Sequence, residues 1–158
     1  STPYNFSGTQ WLAVYYYANP PTSSTAYTVT TTNFSALKDM EITPLLYSGA
    51  SPTGIPDSFA KNSTTGNLTS STTVVATNCW LVSCGRNTVD GPAAAGTGTT
   101  SRQLGGGPSS RYGDSNGTVG TGSQSMGWNG NVAGTTASFI VSIAPSALVT
   151  NSGFFNFM

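Results

Sequence analysis

The chain's two cysteines lie in the stretch NCWLVSCG (78–85), as Cys79 and Cys84 with four residues between them. Two thiols this close could clip a metal, form a redox pair, close a disulfide, or pack as small apolar side chains. Structural zinc takes about four ligands, mostly Cys and His, and the chain has no His. The thioredoxin-type redox motif places two residues between its cysteines, not four. In an extended strand, five steps of about 3.3 Å put the two Cα atoms about 16 Å apart and aim the side chains at opposite faces. A disulfide requires Cα atoms within about 7 Å. The spacing therefore predicts a structural pair, with Trp80, Val82 and Cys84 facing one layer and Cys79 and Leu81 the other. A disulfide between subunits is the alternative.

Other chemistry-bearing groups are few. Without His, neither a Ser-His-Asp nor a Cys-His arrangement can be built. The five carboxylates are Asp39, Glu41, Asp57, Asp90 and Asp114. Asp39 and Glu41 share strand parity in KDMEI (38–42) and could face one another's substrate as a glycosidase pair does. Beside Lys38 they also read as a solvated strand surface. GDSNGT (113–118) resembles the start of a calcium loop but lacks further regularly spaced acids. A turn in which Asp and Asn side chains bond local backbone explains it better. LGGGPSS (104–110) lacks the Lys-Ser/Thr ending of a phosphate loop and reads as a flexible connector. No catalytic residue, metal site or cofactor is assigned.

Aromatic rings offer a different chemistry. Trp11, Tyr15 and Tyr17 share one parity, and Leu12, Val14 and Tyr16 the other. One face of such a strand carries a row of rings that could stack on a sugar, or form half of a core or interface. Trp128 in MGWNGN (126–131) is a further candidate stacking ring beside a turn, with strand packing as its alternative.

The elements that would position these residues are short strands. WLAVYYYA (11–18) is stopped by NPP, since prolines cannot continue a ladder. TAYTVTTT (25–32), MEITPLLYSG (40–49), STTVVAT (71–77), CWLVSCG (79–85) and TTASFIVSIA (135–144) follow, with weaker candidates at 97–104 and 123–130. A single turn of helix is the most that NFSALKDM (33–40) suggests. About three residues in ten are Ser or Thr, 19 are Gly and 11% are aromatic, a mixture that β-branched runs turn toward folded β structure and away from disorder. The expected fold is all-β: an antiparallel, jelly-roll-like β-sandwich in one domain over 1–147, with an apolar tail at 148–158.

Charge excludes several roles. Only 6% of residues are charged, five basic against five acidic. Nucleic-acid binding needs a basic surplus that this chain lacks. No window approaches the roughly 18 apolar residues of a membrane span. A surface solvated by hydroxyls and amides points to an extracellular, virion or cell-surface location. No basic-then-apolar leader is visible at STPYNFSGTQ, and the missing initiator Met leaves a removed segment or signal peptide open. Glycosylation sequons occur at Asn5, Asn33, Asn62, Asn67 and Asn116.

Taken in order, SGTQWLAVYYYANPPTSSTAYTVT (7–30), YSGASPTGIPD (47–57), TTVVATNCWLVSCG (72–85), AAAGTGTTSRQ (93–103), GDSNGTVGTGSQSMGWN (113–129) and ASFIVSIAPSA (137–147) resemble a Ser/Thr/Gly-rich β-sandwich domain of tailed-phage virion proteins and of bacterial secreted or surface proteins. The resemblance spans about 8–147 and implies a structural, decorating or adhesive module without catalytic residues. Such domains begin with further strands before the SGT…W segment, so the resemblance also implies that N-terminal strands are missing here and an edge is left open. Beyond it, LVTNSGFFNFM (148–158) ends in Phe154, Phe155, Phe157 and Met158. This segment is expected either to dock on a neighbouring subunit, as a strand added in trans does, or to fold back on its own chain. The sequence thus predicts a non-enzymatic structural subunit that self-associates or joins other virion or surface subunits. The alternative is a glycan-binding attachment module using Trp11, Tyr15, Tyr17 or Trp128.

Overall fold

A computed structural model describes residues 4–5, 7–8, 10–16, 45, 47–51, 56–89, 94–102, 110–130 and 132–146. The strands are β1 (Tyr4–Asn5), β2 (Trp11–Leu12), β3 (Ser58–Thr65), β4 (Leu68–Val74), β5 (Cys79–Asn87), β6 (Ala94–Ala95), β7 (Thr100–Ser101), β8 (Ser110–Val119), β9 (Gly122–Asn129) and β10 (Thr135–Ile143). They form a five-stranded antiparallel sheet in the order β3-β10-β5-β8-β7 and a three-stranded antiparallel sheet in the order β4-β9-β6. The two pack face to face, so the fold is an all-β antiparallel sandwich. No helix among the described residues is long and apolar enough to cross a membrane.

Strand β4 shows why the layers form. Leu68, Ser70, Thr72 and Val74 are buried, whereas Thr69, Ser71 and Thr73 are exposed, the period of two expected when one sheet face meets a core. Opposite it, β5 and β10 contribute Cys79, Leu81 and Ile140, which with Val74 and Met126 form a small apolar cluster. Toward the other end the inter-sheet space is filled by hydroxyls and one ring. Trp128 is fully buried and donates its indole N–H to Ser83 Oγ at 2.8 Å, and Ser83 in turn donates to the Phe139 carbonyl at 2.7 Å. Gly85 makes the slot for that ring, since a Cβ there would stand 2.6 Å from it. Ser70 and Ser138 share a hydrogen bond across the layers, and Asn87 donates to Thr136 at 2.8 Å. Each buried hydroxyl in this chain of contacts has a partner, which offsets its desolvation.

The outer face of the five-stranded sheet is also covered in part. Strands β1 and β2 pair antiparallel, and Tyr4 sets its ring edge-on to Phe139 with centroids 6.2 Å apart. Its hydroxyl shares a 2.8 Å hydrogen bond with Ser63, and the Lys61 ammonium lies 5.0 Å over the ring. Arg86 donates to Gln10 at 3.3 Å from the same face. Strand β10 is therefore sheltered on both sides, which explains its near-continuous burial from Thr136 to Ile140.

Several expectations need amendment. Among the described residues of WLAVYYYA only Trp11–Leu12 are strand, and residues 13–16 are irregular. Residues 45 and 47–49 are not strand either. The weak candidate at 123–130 is a full strand, β9, whereas the described residues of 97–104 contribute only the short β7. The sequence reading missed β3 and β8 altogether. GDSNGT lies inside β8 and is not a connecting turn: the β5–β8 register slips between Trp80 and Val82, so that Leu81 alone faces the three residues Ser115, Asn116 and Gly117. Asn116 takes the left-handed conformation at φ 53°, and its N–H bonds Asp114 Oδ1 at 2.8 Å. The local turn chemistry was real, but it builds a bulge. The expected elements at 25–32, 33–40 and 40–44, and the tail at 148–158, lie outside the described residues.

Candidate functional site

Cys79 and Cys84 emerge from opposite faces of β5, as their odd separation requires. Cys79 belongs to the inter-sheet cluster and donates its thiol to the Ala76 carbonyl at 3.2 Å, while Cys84 is buried opposite Phe139 and Tyr112 on the other face. Both are free thiols. Burial raises the Cys79 thiol pKa above its ordinary value and pushes Cys84 to about 12. A thiol held neutral is a poor nucleophile, so both act as packing groups.

Among the described carboxylates, Asp57 closes a loop. Its oxygens accept from the Val75 and Ala76 N–H groups at 2.9 and 3.0 Å, and from the Ser142 hydroxyl at 3.2 Å. Asp114 stands at the mouth of the β8 bulge, with its side chain 6% exposed. Arg102 grips both of its oxygens at 2.9 and 2.8 Å and reaches Asn116 Oδ1 at 2.6 Å. The Tyr47 hydroxyl donates to it at 3.5 Å, and the Tyr47 ring tilts against Trp80 with centroids 6.3 Å apart. Burial alone would raise the Asp114 carboxyl; the Arg102 hydrogen bond and the Asn116 N–H outweigh it and hold the pKa below the ordinary carboxylate value. Burial, and then the Asp114 charge, push the Tyr47 phenol to about 12. With its lone pairs committed to Arg, Tyr and backbone, Asp114 is spoken for as a latch between β7 and β8, and the calcium-loop likeness of GDSNGT has no free carboxylate behind it. No group of three or more His, Cys, Asp or Glu that could hold a metal occurs among the described residues. Asp39, Glu41 and Asp90 lie outside them.

The candidate stacking rings separate. Trp128 is fully buried against Gly85 and Ser83, so it offers no face to a sugar; it shares the inward face of β9 with Met126. Tyr15 is 70% exposed and Tyr16 62% exposed, so parity does not divide them, because residues 13–16 are not in a strand. The side chain of Trp11 and all of Tyr17 lie outside the described residues, as do Phe154, Phe155, Phe157 and Met158.

Sequence reasoning did not single out one feature of the described surface. Strand β3 is the edge of the larger sheet and β4 the edge of the smaller, and they lie side by side, joined through Gly66 and Asn67. Among the described residues no strand pairs with the outer edge of either. They run 8 and 7 residues, with Lys61 their single charged side chain. Along this edge runs a shallow groove of about 380 Å³ between Ser58–Ala60 and Ser71–Thr73. It includes Phe59, which is 58% exposed. Of the sequons, Asn5, Asn62, Asn67 and Asn116 are all exposed, while Asn33 lies outside the described residues. The signal that could have found the edge is LTSSTTV itself, seven residues without charge, Pro or Gly. No protein-family model, no curated protein and no solved structure matches the chain.

Proposed function

We propose that the protein is a non-enzymatic structural subunit of an extracellular assembly, either a virion appendage or decoration layer or a cell-surface filament, and that it joins its neighbours through strand edges. The observation that carries this reading is the pair of long, nearly uncharged edge strands β3 and β4 lying side by side. Unpaired edges are templates for further strands, and soluble monomers normally blunt them with charges, prolines, bulges or short length. β4 carries no charge and no proline. A chain with 6% charged residues also brings little repulsion to close subunit packing. The likeness to virion and surface sandwiches supports the setting, and the apolar Phe154, Phe155, Phe157 and Met158 would supply a second contact between subunits.

Light scattering coupled to size exclusion, run over a range of concentrations, tests this reading. A defined oligomer or filament is expected; a monomer of 16.2 kDa at every concentration would refute it. Removal of residues 148–158 then separates the two contacts, since an unchanged size distribution would exclude the tail.

A second reading rests on the adjacent exposed rings of Tyr15 and Tyr16, which suit stacking on a sugar of a host surface. Here a glycan array is the measurement. Retention that is lost in Tyr15→Ala/Tyr16→Ala and kept in Phe59→Ala would favour attachment over assembly.

A further inference from the structure

The edge strand β4 reads nearly the same in both directions. About Ser71 as centre, Leu68 mirrors Val74, Thr69 mirrors Thr73 and Ser70 mirrors Thr72. The burial pattern mirrors with it: Leu68, Ser70, Thr72 and Val74 face the core, and Thr69, Ser71 and Thr73 face solvent. A two-fold contact between identical subunits uses one patch twice and therefore requires self-complementarity. An antiparallel strand pair centred on one residue meets that requirement when the strand is chemically palindromic about it.

We propose that β4 pairs antiparallel with β4 of a second copy of this chain, on a two-fold axis through Ser71. This inference rests on the assembly reading and specifies its partner and register. In that register the two three-stranded sheets become one six-stranded sheet, β6-β9-β4 continuing into the partner's β4-β9-β6. Leu68 sits opposite a second Val74 and Thr69 opposite a second Thr73, so apolar and hydroxyl faces each remain continuous across the junction. A shift by one residue would set core-facing side chains against solvent-facing ones. No like charges meet, because β4 has none. The exposed ring of Phe59 borders the groove beside Thr72 and Thr73, and the incoming strand would cover it. Among the described residues, the outermost strands on the opposite side, β6 and β7, are two residues each.

Cysteine placement tests the register. Ser71→Cys puts two thiols directly opposite, about 4.5–5.5 Å apart at Cβ, close to disulfide range. Thr69→Cys alone puts its two copies about four residues apart along the strands, roughly 13 Å or more and out of reach. The double variant Thr69→Cys/Thr73→Cys restores opposed pairs and supplies a second geometry should the first be strained. The native thiols, both buried, serve as background in the unsubstituted protein. Under mild copper-catalysed oxidation, non-reducing gels should show dimer for Ser71→Cys and for the double variant. Thr69→Cys and the parent chain should stay at background. Light scattering of the reduced proteins is read alongside. If oligomers persist but Thr69→Cys alone cross-links, or none of the variants does, the register is wrong and the assembly reading stands. If every variant is monomeric and uncross-linked, both readings fall.

Discussion

The sandwich has two sides, and they are built from the same part used differently. On each side, two strands adjacent in sequence are joined by a short connection and belong one to each sheet: β3 and β4 on one side, β6 and β7 on the other. The first pair runs 8 and 7 residues, the second 2 and 2. The short pair is welded down. Gly96 and Gly127 exchange tight backbone bonds through residues 96–97, with Gly96 N–H to Gly127 O at 2.8 Å and Gly127 N–H to Thr97 O at 2.9 Å. Arg102, just past β7, clamps Asp114 of β8. The long pair is tied at one end, where Asp57 just before β3 accepts from Val75 and Ala76 just past β4, but among the described residues no strand pairs with the outer ladder of either strand. Very short edges are a standard protection against unwanted pairing, so the edge strands of one side offer a further strand far less ladder than those of the other. The same sequence chemistry, Ser, Thr and Gly with little charge, serves both; strand length and the Arg102–Asp114 clamp make the difference.

The strongest way to break this contrast is from inside. Trp128 on β9 fills the slot over Gly85 beneath the short edges, and removing it leaves a cavity that this hydroxyl-rich interior has little apolar bulk to refill. Trp128→Ala should cost about 3–5 kcal/mol of unfolding free energy. Chemical denaturation monitored by far-ultraviolet circular dichroism reads it. A loss under about 1 kcal/mol would mean that the ring is not held as described.

The short-edged side can be loosened more selectively. A Cβ on Gly113 would stand 2.6 Å from the Thr100 carbonyl oxygen, so Gly113→Ala prises β7 from β8 and should cost about 1–3 kcal/mol. Asp114→Asn strips the carboxylate from Arg102 and Tyr47 and should cost about 2 kcal/mol. Amide exchange at Thr100–Arg102 should quicken in both variants while β3 and β4 keep their protection. If instead exchange quickens equally on both sides, the clamp is not local.

The same latch fixes a pH dependence. Asp114 has a folded pKa below its unfolded value of about 3.9. Its contribution is therefore complete above that value and is lost as pH falls through the folded pKa. Tyr47 and Cys84 behave oppositely, each raised to about 12 when folded. Their contributions are complete below the unfolded values, about 10 for Tyr and 8.5 for Cys, and decline as pH rises from there toward 12. Thermal melts should show a plateau between about pH 5 and 8 with a fall on both flanks. Asp114→Asn should remove part of the acid limb and leave the alkaline onset from Cys84 near pH 8.5 in place. An unchanged acid limb would sink the assignment.

How far the sequence foretold this molecule depends on which side is considered. The β class, the core strands at Cys79–Asn87 and Thr135–Ile143, and the opposed cysteines follow from local alternation and β-branched runs, whereas the strand expected at 71–77 lies three residues earlier, at Leu68–Val74, and residues 75–77 are not strand. Strand β8 was hidden because Asp114, Ser115, Asn116 and Gly117 are turn formers, and a bulge uses the same residues as a turn. Strand β3 was hidden because SFAKNSTT alternates poorly: as an edge partly covered by Tyr4, it has no single buried face. Trp128 was ambiguous because the neighbouring glycines advertise a turn, whereas the slot at Gly85 lies 43 positions earlier in the numbering and becomes its neighbour only through the fold. The open edge is a tertiary property. LTSSTTV shows a flat, uncharged strand, but only the strand order reveals that nothing described lies beyond it.

The smallest expected effect on stability discriminates the two sides most sharply. Thr73 on β4 and Ser101 on β7 are both exposed and both on edge strands. Thr73→Lys and Ser101→Lys should each change unfolding free energy by less than about 0.5 kcal/mol, since neither touches a core or a clamp. Their effects on association should diverge. A lysine on an edge opposes strand addition through its charge and the cost of desolvating its ammonium. At Thr73 it would sit opposite Thr69 of the incoming copy and weaken association at least tenfold in concentration; at Ser101 it should change nothing. Sedimentation of the two variants beside the parent chain gives the comparison directly. Equal weakening by both would show that added charge alone disperses this low-charge protein, and the distinction between a long-edged and a short-edged side would lose its meaning for assembly.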